Sequence, residues 1–232
     1  MDGRVLSFRL AGINNQNFIM ADRETGTWWQ QVTGLAIRGP LQGRRLTRVF
    51  HDELSFRTWT GEYPGGRVLE PVADSAWIRN WKDELEHTPT RPVRVTAPLD
   101  DRLPPRAIVA GIDLGGSSKA YPMDRVLAQA PLHDRLGGTP LVILVDEDGQ
   151  SVRAFEARVD GHPIELVRLT DSSRAWMDVG TGSRWSFQGE AIEGLLKGRK
   201  LAPVYLLKDY WFDWKTYHPT TELYLLGERR LP

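Results

Sequence analysis

The stretch WWQQVTGLAIRGPLQGRRL, residues 28–46, returns far downstream as RWSFQGEAIEGLLKGRKL, residues 184–201. Aligned on Gly34 and Gly189, residues 34–46 and 189–201 agree at 8 of 13 positions, offset by 155. Unrelated segments of this length agree at about one position. The agreement continues outward. Asp22, Thr25, Gly26 and Trp29 face Asp178, Thr181, Gly182 and Trp185, with one residue of slack after the tryptophan. Trp59 faces Trp214, and Tyr63-Pro64 faces His218-Pro219. A period this long does not suit a solenoid, whose repeats run to a few tens of residues. It reads as a tandem pair of related domains.

The two copies are unequal. The second, residues 105–228, carries residues 107–159 ahead of Asp160, and the first has nothing to match them. The first, residues 1–70, begins at Met1 already in its back half, so it is expected to be incomplete. An incomplete sheet leaves an open edge, which predicts self-association through that edge. Residues 71–104 read as a linker rich in proline, with Pro71, Pro89, Pro92, Pro98 and Pro104 and the charged run DDR at 100–102. One helix is expected within it over residues 74–87, where Trp77, Trp81 and Leu85 recur every four residues and Asp74 can cap the start.

Elsewhere the pattern is that of short strands. Residues 4–11 partly alternate, with Leu6, Phe8 and Leu10 on one face. Residues 141–145 are wholly apolar, fit for a buried strand. Asp148-Gly149 signals a hairpin turn with a return strand over 152–157. Short helices are expected at 123–130, 55–63 and 209–217. The last ends at His218-Pro219, because a residue before proline is pushed out of the helical region. The fold class is therefore β-rich α+β, a tandem pair of mostly antiparallel β domains with short helices.

Bulk composition excludes several functions. The chain has 232 residues, 41% of them hydrophobic, enough for a real core. Lys plus Arg and Asp plus Glu number 30 each, which argues against nucleic acid as the partner. No run approaches the length of a membrane-spanning helix. The opening MDGRVLSFRL has no apolar core of a signal peptide, and the compartment is left open. Cysteine is absent, so there is no disulfide, thiolate nucleophile or Cys-ligated metal. No cofactor is expected.

DRETGTWWQQVTGLAIRGPLQGRRL, residues 22–46, resembles the core block of domain-of-unknown-function family 3179, a bacterial and archaeal family, and its two-copy, selenocysteine-associated members in particular. GIDLGGSSKAYP, residues 111–122, is similar to that family's opening strand block, and HDRLGGTPLVILV, residues 133–145, to its G-G-x-P element. In the family the next strand runs into a C-P-L-C-type or selenocysteine motif. Here that place reads VDEDGQ, residues 145–150. The resemblance implies thiol or selenol redox chemistry for complete members, because a low-pKa thiol or selenol is a redox nucleophile. It implies no such catalysis by this chain alone. The reactive motif of the first copy is expected upstream of Met1, behind a UGA codon read as stop, and any leader peptide would belong to that upstream segment.

Four local sets compete for chemistry. The GIDLGGSSK loop, residues 111–119, is similar to the phosphate loop of actin-like sugar kinases, where glycines admit phosphate to backbone N–H groups. Gly115-Gly116 suits a plain hairpin turn better. His133-Asp134 offers a base and its orienting carboxylate, although neighbours on an extended chain point to opposite faces. Asp146, Glu147 and Asp148 cluster at a turn, too few oxygens for calcium. The fourth set is Arg23, Glu24, Trp28, Trp29 and Gln30, where indole faces beside charges can form a binding platform for a sugar or cation. Arg23, Glu24, Trp28 and Gln30 are not kept in the second copy, which makes them the better functional candidates of that set. The alternative function is therefore a non-catalytic binding or scaffold module using the Trp28-Trp29 region. The His residues have no metal-ligand spacing.

Overall fold

The computed structural model describes residues 3–69, 92–169 and 175–225. The helix expected over residues 74–87 lies outside the described residues.

Antiparallel sheets of short strands make up nearly all of the regular structure, with three seven-residue helices among the described residues. The N-terminal sheet has the order β1 (Phe8–Asn14), β2 (Asn17–Asp22), β3 (Trp28–Gln30), β4 (Ala36–Arg38), followed by helix α1 (Phe56–Glu62). β1 starts at Phe8 rather than Arg4 and runs three residues past the expected end. Its register breaks between Leu10 and Gly12, where a bulge absorbs one residue, so Leu10 and Ile13 share a face despite their odd spacing.

The C-terminal part is layered. β5 (Ile108–Leu114) and β6 (Ser117–Pro122) form a hairpin, followed by α2 (Met123–Gln129). β7 (Leu132–Leu136), β8 (Thr139–Val145) and β9 (Val152–Glu156) form an antiparallel meander. A two-stranded ribbon, β10 (Arg158–Val159) and β11 (His162–Pro163), leads into a second four-stranded sheet of β12 (Leu166–Arg168), β13 (Trp176–Asp178), β14 (Arg184–Trp185) and β15 (Ala191–Glu193). β16 (Pro203–Val204) joins the edge of β9, and β17 (Leu207–Tyr210) the edge of β5. Helix α3 (Trp211–Tyr217) follows, and β18 (Glu222–Leu223) lies parallel to β6.

The apolar run 141–145 is the middle of this stack, and its alternation explains why every position is apolar. Leu141, Ile143 and Val145 join one core with Ile112, Tyr121 and Tyr224 of the β5–β6 layer. Val142 and Leu144 point the other way, into a second core with Phe155, Leu166, Trp176 and Trp185. A strand with a core on each face has no polar side to show. A third cluster sets Trp211 and Trp214 of α3 against Val109 and Ala120. Gly111 is what admits α3 there, since a Cβ on it would lie 2.3 Å from the Trp214 ring. Helix α3 begins two residues later than its sequence pattern suggests, because Asp209 and Tyr210 are taken up in pairing with β5.

The repeated sequence block has repeated local geometry. In both sheets a buried aspartate accepts from a threonine hydroxyl three residues on, Asp22 from Thr25 at 2.8 Å and Asp178 from Thr181 at 2.6 Å. In both, the register shifts at the tryptophan, between Trp28 and Trp29 and between Arg184 and Trp185. The bridges Leu35 to Arg45 and Glu190 to Lys200 are equivalent. Gly39 and Gly194 both take positive φ, and a Cβ on either would lie within 2.8 Å of the facing Cα of Thr27 or 2.7 Å of that of Ser183. That close approach explains why the block keeps glycine at this position.

Candidate functional site

Of the candidates read from the sequence, the tryptophan set is divided by the pleat. Cross-strand pairing puts Trp29 beside Met20 and Ala36, and Trp28 beside Ala21 and Arg38, so the two indoles face opposite sides. Trp29 is fully buried and its Nε1–H donates to Asp22 Oδ2 at 2.8 Å. Burial disfavours the Asp22 charge, but hydrogen bonds from Trp29, Thr25 and Thr27 more than offset it and hold the carboxyl below its usual value. Gln30 is buried and accepts from the Thr33 hydroxyl. Trp28 is half-buried, with the Arg38 guanidinium 5.4 Å from its ring centre. Arg23 and Glu24 are exposed, and Glu24 accepts from the Ser7 amide and hydroxyl. The structure therefore brings Trp28 and Arg38 together on the surface and takes Trp29 and Gln30 into the fold.

His133 and Asp134 face opposite sides of β7. Nε2 of His133 lies 3.0 Å from the Leu166 carbonyl oxygen and 3.1 Å from its amide nitrogen. Asp134 turns into the first core, where it meets Lys119 Nζ at 2.7 Å and accepts from the Tyr121 hydroxyl at 3.0 Å. Burial, then the Asp134 charge, pushes the Tyr121 phenol well above its ordinary value. Lys119 closes the GIDLGGSSK stretch, so the one cation of that loop is spent on a buried ion pair. Gly115 and Gly116 take φ of +61° and +79°, the backbone of a two-residue hairpin turn.

A larger polar arrangement contains one of the sequence candidates, the acidic turn Asp146–Glu147–Asp148, but its other members were not singled out. It lies where the N-terminal tail, residues 50–63, crosses the β8–β9 turn. The walls are Phe50, His51, Asp52 and Tyr63 on one side, Arg153 and Gln188 on the other, around a cleft of about 220 Å³. Arg153 is buried and grips two of the three acids of this segment. Its Nη2 meets Asp52 Oδ2 at 2.7 Å, and its Nη1 meets Glu62 Oε1 at 2.7 Å. The same guanidinium sits 4.6 Å from the centre of the Phe187 ring. Burial works against its charge, but Glu62 and Asp52 outweigh it and raise its pKa.

Beside this grip, Thr58 donates to Asp146 at 2.7 Å and to Asp148 at 3.0 Å. Ser55 caps α1 through its hydroxyl, which accepts from the Thr58 amide, while its own amide donates to the Ser151 hydroxyl at 2.9 Å. Ser151 in turn donates from its hydroxyl to Asp148 at 2.6 Å. Burial opposes the Asp148 charge, yet these hydrogen bonds hold its pKa far below the usual range. One sequence signal could have revealed the site: Arg153, set between the apolar residues Val152, Ala154 and Phe155 of β9, demands buried anionic partners. Its partners are about 90 to 100 residues away in sequence, and nothing local announces them.

A third polar joint lies at the tip of the β1–β2 hairpin. The Asn17 amide donates to Asp213, and Thr96 donates from its amide to Asn15 at 2.9 Å. Asp213 stands against Asp209, and burial, reinforced by the Asp213 charge, pushes the Asp209 carboxyl up to about 8. Burial raises Asp213 as well. The pair therefore keeps a proton at neutral pH. The sign follows from folded and unfolded values. Asp209 titrates near 8 when folded and near 3.8 when unfolded, so its stabilising share is complete below about 4 and is lost as pH rises toward 8. Denaturant unfolding at pH about 5 and about 9 is expected to show a loss of a few kcal/mol across that range, and Asp209→Asn is expected to flatten it. An unchanged pH slope in the variant contradicts this assignment.

Among the described residues no cluster of three or more His, Cys, Asp or Glu is placed to hold a metal, and no helix is long and apolar enough to cross a membrane. Fold and site together define a β-rich protein of stacked antiparallel sheets whose principal polar cluster joins its N-terminal tail to a hairpin turn. The model of a family of proteins of unknown function, DUF3179, matches residues 1–221. The chain belongs to that family. No curated protein and no solved structure matches it.

Proposed function

We propose that this chain is a non-catalytic scaffold or binding module made of two related units, residues 1–70 and 105–228, joined by the segment 71–104. In this reading the β8–β9 turn, where the family resemblance expects a thiol or selenol, serves as a structural joint. One observation carries the reading: two of the turn's three acids are engaged by residues 50–63, with Thr58 bridging Asp146 and Asp148 and Ser55 reaching Ser151. The turn carries no thiol, and its Asp146, Asp148 and Ser151 side chains are engaged in these structural hydrogen bonds. The matched hydrogen bonds, bulges and glycine conformations of the two sheets support the tandem reading. In this reading the accessible binding surface is the Trp28–Arg38 pair.

Two measurements test this. Purified chain is expected to give no disulfide or peroxide reduction above buffer, and turnover that falls with Asp148→Asn overturns the joint. Tryptophan fluorescence titrated with oligosaccharides and small organic cations is expected to respond through Trp28 and to lose that response in Trp28→Ala. The redox reading implied by the family resemblance needs a thiol or selenol, and this sequence contains no cysteine. Under it, the reactive group comes from polypeptide other than these 232 residues, and turnover appears only in an extended protein.

A further inference from the structure

Helices α1 and α3 end alike. Tyr63 and His218 take the same cap backbone, φ −126° and ψ 68°, and their amides donate to the Trp59 and Trp214 carbonyls at 2.8 Å and 2.9 Å. The side chains at the two ends are arranged differently. Trp214 is buried, its ring stacks on His218 at 3.7 Å, and its Nε1–H donates to the Thr221 hydroxyl at 2.9 Å. Trp59 is half-buried and Tyr63 is 54% exposed. Both line an open cleft of about 420 Å³ with Phe50, His51, Asp52 and Leu54. Its size is that of a small-molecule site.

The Trp59 ring is fixed by its neighbours. The turn after α1 closes through Gly66, whose amide donates to the Tyr63 carbonyl at 2.8 Å, and a Cβ on Gly66 would lie 2.4 Å from the indole. Phe56 packs beside it, with ring centres 5.8 Å apart. Charge in the cleft favours one sign. Among the described residues its lining includes no lysine or arginine, and Asp52 supplies its carboxylate. Both Arg153 contacts to that carboxylate end on Oδ2. The same guanidinium also serves Glu62, so one positive charge stands against two negative. Glu53 alongside is matched by Lys208 at 2.9 Å.

We propose that this cleft binds a substituted ammonium ion, with its alkyl groups against the Phe50, Trp59 and Tyr63 rings and its charge toward Asp52. Aromatic faces are negative at their centre and attract a weakly hydrated cation, and the rings give its alkyl groups apolar contact. An anion meets the unbalanced carboxylate and is repelled. A neutral ligand draws nothing from that charge. The site is separate from the Trp28–Arg38 pair of β3 and β4, so the two readings stand or fall independently.

Calorimetric titration with choline of the full chain carrying Trp28→Ala isolates the cleft, because the Trp28 surface is then removed. Saturable binding is expected to persist. Adding Tyr63→Ala, a change at an exposed position, is expected to weaken it about tenfold, and Tyr63→Phe to keep it. Dimethylbutanol, the uncharged isostere of choline, is expected to bind at least about tenfold more weakly than choline. In the wild type the indole N–H resonance of Trp59, identified by its absence in Trp59→Phe, is expected to shift as choline is added. Absence of choline binding in the Trp28→Ala chain overturns the proposal, and if the wild type binds, it assigns the cation to the Trp28 surface. Equal affinity for choline and dimethylbutanol overturns it as well. So does an affinity unchanged by Tyr63→Ala, or a Trp59 resonance that does not move.

Discussion

Lys119→Met is expected to destabilise the fold by about 3–5 kcal/mol, the cost of leaving one charge of a buried pair alone. Lys119 and Asp134 are both almost wholly removed from solvent and meet at 2.7 Å. Two aromatic rings, Tyr121 and Tyr224, lie 5.7 Å and 5.2 Å from the ammonium and keep water away from it. Methionine fills the volume of the lysine stem, so the loss reports the charge and not a cavity. The uncompensated Asp134 must then ionise in an apolar core or take up a proton. The double variant Lys119→Met with Asp134→Leu is expected to regain most of the loss, because removing both charges also removes their desolvation cost. Urea unfolding of the two variants gives the comparison. A single variant within about 1 kcal/mol of wild type contradicts the account. The result also bears on function: a lysine engaged in the core is not available to reach a phosphate.

The second large effect concerns the joint. Arg153→Met is expected to cost about 2–4 kcal/mol, somewhat less than a fully buried pair, because Asp52 keeps partial access to water. Its distinctive consequence is spatial. Asp52 and Glu62 belong to the N-terminal tail, so their loss of partner should release residues 50–63 from β9 while the C-terminal layers stay folded. Limited proteolysis is expected to cut the variant within that tail and spare residues 107–159. Arg153→Lys is expected to recover only part of the loss, since an ammonium cannot hold two carboxylates in the forked geometry of a guanidinium. Cooperative unfolding with no early cleavage of the tail would refute a joint confined to this region.

Much of the fold is present in local pattern. The apolar run 141–145, the Asp148-Gly149 turn and the Gly115-Gly116 hairpin each state a strand or turn through chemistry that acts within a few residues. The repeated block did the same for the paired sheets, because its aspartate, threonine and glycines satisfy their own turns. The candidate site was less accessible. Trp28 and Trp29 look alike in sequence, and only pairing with β2 and β4 sends one to the surface and the other into the interior.

By itself, then, the sequence determined the β-rich class, the order of turns and the absence of a thiol, since each follows from residue type and short-range spacing. Tertiary structure alone decided which charges meet. Arg153 finds Asp52 and Glu62, and Lys119 finds Asp134, only after distant strands stack, and electrostatic partnership at such separation leaves no periodic trace in a chain. It also decided which of two matched tryptophans, Trp59 and Trp214, is covered, because burial belongs to the neighbours a residue acquires and not to the residue itself.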